Sequence, residues 1–408
     1  MSAAPLMAPP STGPSFRTVV AQYRRLPQLS GTAFLPLAFL ARLPISMTQI
    51  GTVVLVSSSF NSIGAGGVAA GFLAAGSAVG GPAVGRLADH LGQRGVMLTA
   101  SLLNAAATLA LVALVVGHAP LAVIYGMAAM SGASTPQIGP MVRARWVRLT
   151  RGGPRLGYAM SYEGAADETA YVLGPAAVSL MTALASPAVA MVAAAVLVGV
   201  FGSAVALHPT AKSAPAGPRS IAPSRFNPRI VALMGGSAAI GCFFGGMQTG
   251  VAGMAARAGV AGAAGGIYAT MGIGSAIAGL ACAAIPARFA LGNRLAFFAA
   301  ALVVLATPLL FLSGLPAMIA VMVPLGCAVG PYIITLFSMA EREVSAPRAA
   351  GVMTLLSSGL VVGYAVGSGI GGHLVDSVSP AAAFAVSAAA MVAGTAVALG
   401  LRVLPSRA

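Results

Sequence analysis

Apolar runs of about 20 residues follow one another along the 408-residue chain, separated by short polar or basic breaks. None alternates with a period of two, which excludes the roughly ten-residue, polar-in strands of a membrane barrel. A helical run of that length crosses a hydrocarbon core of about 30 Å. The pattern predicts twelve spans: 31–56, 65–85, 96–116, 120–141, 156–184 and 187–207, then 229–255, 262–285, 294–312, 316–338, 350–374 and 379–401. The interval 208–228, HPTAKSAPAGPRSIAPSRFNP, is rich in Pro, Ser and Arg and divides the spans six and six. The expected organisation is a tail (1–30), a first bundle (31–207), a linker (208–228) and a second bundle (229–408).

Composition agrees with this pattern and narrows it. Residues are 58% hydrophobic and 7% charged, against roughly 25% charged in soluble domains. A chain whose solvent is lipid must pair every backbone group internally, so the fold class is an all-α polytopic membrane protein. The net charge of +15 would suggest nucleic acid in a soluble protein, but its placement gives it another meaning. Of the 22 basic residues, 20 fall in the tail, the even-numbered loops, the linker and the C-terminus, all on one side of the predicted topology. Five of them, Arg143, Arg145, Arg148, Arg151 and Arg155, are assigned to the loop after the fourth span. The positive-inside rule makes that side, with both termini and the linker, cytoplasmic, and nucleic acid drops out as a partner. The single Lys, with abundant Ala and Gly, points to a GC-rich bacterial genome and hence to the inner membrane. Cys242, Cys282 and Cys327 stand apart in apolar stretches, with neither disulfide nor metal spacing. No nucleophile–base pattern is present, so no enzyme, metal or cofactor is expected, and a monomer is.

The halves resemble each other. GSAVGG (76–81) followed by LGQR (91–94) recurs as GSAIAG (274–279) followed by LGNR (291–294). At an offset of 193, Arg155, Met160 and Gly174 match Arg348, Met353 and Gly367. Such repeats are what transporters show when two bundles rock around a central site. Small-xxx-small faces, Gly76/Gly80, Gly81/Gly85 and Gly363/Gly367/Gly371, predict close helix packing in the second and eleventh spans.

GRLADHLGQR, Gly85 to Arg94, resembles the G-x-x-x-D-(R/K)-x-G-(R/K)-(R/K) loop motif of the major facilitator superfamily: Gly85, Asp89, Gly92 and Arg94 match, while His90 and Gln93 replace basic residues. The resemblance implies twelve helices in two pseudo-symmetric six-helix bundles and secondary transport by alternating access. It also implies that Asp89 latches the cytoplasmic end of the eleventh span when the protein opens outward. The second-half copy, IPARFALGNR, carries no acid. Drug-exporting members often have an Arg in the fourth span; YGMAAMSGAS (125–134) has none. Of their fifth-span glycine motif, only Gly174–Pro175 remains.

The chain has instead an unusual set of charges in its spans. Three of its seven acids, Glu163, Asp167 and Glu168, fall within six residues of the fifth span, and Arg42 lies in the first. Glu163 and Asp167, four apart, share a helix face that continues to Tyr171. Arg42 and Asp167 lie at matching depths, about 16 Å in at 1.5 Å per residue, so Arg42 can reach one or two of the acids. A charge at that depth costs at least roughly 2.5–3.5 kcal/mol, and three acids with one Arg cannot all stay ionised and unpaired. A carboxyl kept near neutral can load and release a proton. The matching second-half positions, Leu356, Leu360 and Val361, are apolar, so the fold itself does not require acids there. Pro44 is placed to bend the first span beside Arg42. Gln49, Gln248 and Tyr332 are further candidates to line a cavity, each equally suited to an interhelical hydrogen bond. The expectation is proton-coupled export of small, partly apolar compounds; the alternative is proton-coupled uptake of a polar or anionic metabolite with Arg42 as its ligand.

Overall fold

The computed structural model describes residues 16–151, 155–213, 227–282, 285, 289–312, 314–343 and 346–404. All regular structure among them is helical. The first half comprises α1 (Phe16–Ser30), α2 (Phe34–Leu40), α3 (Leu43–Phe60), α4 (Ile63–Leu91), α5 (Gln93–Val116), α6 (Leu121–Ala133), α7 (Ile138–Leu149), α8 (Arg155–Leu184), α9 (Pro187–Leu197) and α10 (Ser203–Leu207). The second comprises α11 (Pro228–Arg257), α12 (Ala264–Ala281), α13 (Leu291–Ala306), α14 (Leu315–Arg342), α15 (Ala346–Ser377) and α16 (Pro380–Val403). With α1 set aside, and α2 taken with α3, α6 with α7, and α9 with α10, the described helices are consistent with twelve crossings in two sets of six. Among the described residues, nine of these are both long and apolar enough to span a bilayer. The other three are α6–α7, α8 and α12. The side where α10 ends and α11 begins is called the linker side below, and the opposite one the far side.

Three helices depart from the pattern read in the sequence, each for a local reason. The first crossing is broken at Ala41–Arg42, because Pro44 lacks an N–H and cannot bond the carbonyl one turn back. The fourth breaks at Thr135–Gln137 around Pro136 and resumes as α7. Arg143, Arg145 and Arg148 therefore belong to a packed helix, not to a loop; their charges ended the hydropathy signal early. The described part of the tail is helical as α1, with Leu26 buried and Tyr23 edge-on to Tyr158 of α8.

Glycine sets the spacing of the helices, and its pattern repeats between halves. A methyl group at Gly76, Gly80 or Gly132 would overlap the carbonyl oxygens of Ala129, Ala133 and Leu73, so α4 and α6 touch backbone to backbone. In the second half Gly274, Gly326 and Gly330 do the same with Val323, Met271 and Ser275, joining α12 to α14. The sequence repeat GSAVGG/GSAIAG is thus a repeat of one packing solution. Gly174 packs on Ser46 of α3, while Gly367 packs on Cys242 of α11.

Arginines tie the linker-side ends of each half. Arg145, wholly buried, donates from Nε to Gln93 Oε1 (3.0 Å) and from Nη1 to the Val205 carbonyl (2.8 Å) at the end of α10. Arg229 bonds Glu343 and the Leu401 and Leu404 carbonyls at the end of α16.

The halves meet through α4 with α15 and α8 with α12. Gly64, Gly67 and Gly71 press on residues 365–376 of α15, and Gly262, Gly265 and Gly272 press on residues 172–183 of α8. Gly266 N donates to Ser179 Oγ (2.7 Å). Both seams lie at the far-side ends of these helices. At the linker-side end of α4, Gly85 and Gly92 face open space.

Candidate functional site

Helices α3, α7 and α8 bring four charged side chains together in the first half. Arg42 is the residue before α3, held there by the Pro44 break and 3% exposed. Its Nη2 bonds Glu163 Oε2, and its Nε lies 2.9 Å from Asp167 Oδ1. Glu163 is fully buried and takes a second bond from Trp146 Nε1 (2.8 Å). Asp167 is different: its side chain is 28% exposed, and its Oδ2 is bonded by Arg143 Nη2 on a side chain 39% exposed. Gly139 of α7 lies alongside, where a methyl group would make ordinary contact with Asp167 at 3.7 Å.

The four groups form a row. Trp146 and Arg42 enclose Glu163 at the buried end; Asp167 bridges Arg42 to Arg143 at the wetter end. One helical turn separates the two acids, as their spacing predicts. Among the described side chains formal charge balances, two arginines against two carboxylates, so neither of these acids has to be neutral merely for lack of a partner. That corrects the sequence expectation, which counted one Arg because Arg143 was taken for a loop residue. Two donors of Arg42 remain without a hydrogen bond, Nη1 and Nε; the Nε–Asp167 approach is an ion pair only.

Trp146 is the second residue the sequence reading missed. Its indole gives Glu163 a neutral donor, and no spacing rule links position 146 to 163. Replacing it by Phe keeps most of the ring packing against Phe34 and removes that donor. Trp146→Phe is expected to cost about 1–3 kcal/mol, read as a lowered midpoint of thermal unfolding in detergent.

The remaining candidates are dispersed. Tyr332 is fully buried and donates to the Gly236 carbonyl (2.9 Å), an interhelical tie of α14 to α11 and not a cavity group. Gln248 is buried and accepts from Tyr364 of α15. Gln49 is half-buried, and Tyr171 is exposed within electrostatic reach of Tyr268. None of these four joins the charged row. The side chains of Glu168 and Asp89 lie outside the described residues, as does that of Arg348. Gly92 has φ +89°, which favours glycine between α4 and α5, and Arg94 is exposed. The three cysteines are unpaired. No cluster of potential metal ligands occurs among the described residues.

Residues 34–354 match the family model described as Major Facilitator Superfamily. No curated protein matches the chain by sequence. Among solved structures, a point mutant of the nucleoside transporter NupG superposes with a TM-score of 0.72 at 14% identity, covering 90% of this chain and 98% of that one. NupG without that mutation gives 0.68 at 14% identity, covering 91% and 98%. The human organic anion transporter MFSD10 gives 0.59 at 15% identity, covering 92% and 99%. At these identities the likeness is one of fold.

Proposed function

The chain belongs to the major facilitator superfamily, and from that premise we propose that it is a proton-coupled secondary transporter working by alternating access, with Asp167 as the group that takes and releases the proton. The observation that carries this reading is the position of Asp167: partly exposed, bridging two arginines, next to a carboxylate that is wholly enclosed. Protonating Asp167 leaves the row with one uncompensated positive charge. That charge is cheapest where water or an anionic partner reaches it, so protonation biases which arrangement of the halves is favoured. Glu163 holds Arg42 in place throughout.

The direction we favour is export of small, partly apolar compounds, from the cytoplasm across a bacterial inner membrane, with the linker side cytoplasmic. The uptake reading required Arg42 to bind an anionic metabolite, and two carboxylates already engage Arg42. Arg143, half-exposed at the end of the row, is the cation that uptake of an anion would have to use instead. Everted membrane vesicles separate the two. After energisation acidifies the lumen, an exported compound is expected to release protons and accumulate inside. A compound that instead leaves the vesicles together with protons would overturn export.

A further inference from the structure

Of the seven acidic residues, Asp376 is one that the charged row does not use and that no motif singled out. It lies one residue before the end of α15, on the far side. Its carboxylate reaches across to the other half and closes on the first turn of α4. Oδ1 accepts from the Ile63 amide (2.8 Å) and Oδ2 from the Gly64 amide (2.8 Å), and the Ser62 hydroxyl donates to Oδ2. Ser62 is itself the N-cap of α4, accepting from Ala65 N (2.9 Å). Four unpaired amides and the positive end of the helix dipole meet an anion at such a terminus. Here the other half of the molecule supplies that anion.

The packing beneath the carboxylate is shaped to let it arrive. A methyl group at Gly64 would meet Asp376 Oδ2 at 2.8 Å, and one at Gly372 would meet the Ile63 carbonyl at 2.9 Å and Gly67 Cα at 3.1 Å. These contacts depend on the halves being together on the far side, because α4 and α15 belong to different halves. They are lost whenever that side opens.

We propose that Asp376 is a far-side bolt: its grip on the N-terminus of α4 stabilises the linker-side-open arrangement and is released when the protein opens to the far side. α4 and α15 run antiparallel, and the motif resemblance assigns Asp89, near the end of α4, to the start of α15. Each helix would then end in an acid that serves the other's N-terminus, one for each state. The proposal rests on alternating access but not on which group carries protons. Its test reads distances, whereas the Asp167 assignment is tested by proton flux, so either can fail alone.

The test is spin-label distance measurement on the full chain in lipid nanodiscs, with Cys242, Cys282 and Cys327 replaced by Ser. One label pair, His118→Cys with Phe311→Cys, reports the far side; another, Leu91→Cys with Arg402→Cys, reports the linker side. Asp376→Asn is expected to raise the far-side-open population about fivefold, the weight of roughly 1 kcal/mol at a helix N-terminus. The linker-side distance should shorten in step. Ser62→Ala should shift both distances in the same direction by less, and it leaves the carboxylate and the fold intact should the Asn variant misfold. Distances in Ser62→Ala and in folded Asp376→Asn equal to those of the unaltered protein would overturn the bolt. A shift toward linker-side opening would overturn it as well.

Discussion

Asp167→Asn is expected to abolish substrate-driven proton movement while leaving a folded protein. The carboxylate bridges Arg42 and Arg143, and the amide keeps one oxygen for that contact while losing both the charge and the titration. Because Asp167 and Arg143 are 28% and 39% exposed, the attraction lost between them is that of a solvent-screened pair, below about 1 kcal/mol, and the buried Arg42 keeps Glu163 as its counter-ion. Fold and coupling therefore separate. In proteoliposomes carrying a pH-sensitive dye, compounds that release protons with the unaltered protein should give no signal above protein-free vesicles, while thermal unfolding moves little. Downhill counterflow of the same compound should persist, since the halves can still exchange. Proton release at the unaltered rate in Asp167→Asn would show that the proton travels elsewhere, and Glu168→Gln would then be the variant to examine.

The larger effect on stability is expected at the buried end of the row. Arg42 and Glu163 are 3% and 0% exposed, so removing Arg42 leaves Glu163 without a cation where water cannot reach it, and removing Glu163 leaves Arg42 only its ion pair with Asp167. Such a break costs about 3–5 kcal/mol, and either Arg42→Ala or Glu163→Ala should give poorly folded, early-melting protein. Replacing both, as Arg42→Met with Glu163→Leu, removes the charges together and should recover most of the loss. Asp167 keeps Arg143 in that double variant. Unfolding midpoints of the two singles and the double form a mutant cycle. A double variant no more stable than the singles would mean that the pair contributes shape, not charge compensation.

These expectations bear on what the sequence could and could not convey. Hydropathy located the apolar crossings because lipid imposes one strong rule on every residue it touches. It failed where one crossing contains its own charges: α7 continues the fourth crossing, but Arg143 and Arg145 have tertiary partners that a window average cannot see. The pairing of Arg42 with the fifth-span acids was legible because depth and helix face are both linear in residue number. The charge balance was not, because the second arginine approaches from a helix beyond a proline break. The glycine repeat was legible as pattern, and its meaning, carbonyl oxygens against α-carbons in α4–α6 and again in α12–α14, needed three dimensions. Asp376 lies near one end of an apolar stretch like many others, and nothing in the sequence connects it with Ile63 and Gly64.

One contact has a practical side. The chain contains a single tryptophan, and its indole N–H is spent on Glu163. All indole emission from the molecule therefore originates within the charged row, against Glu163, which lies one turn of α8 from the proposed proton carrier. The protein brings its own optical probe to the charged row, and movement of Arg42, Glu163 or Asp167 can be followed without attaching a label.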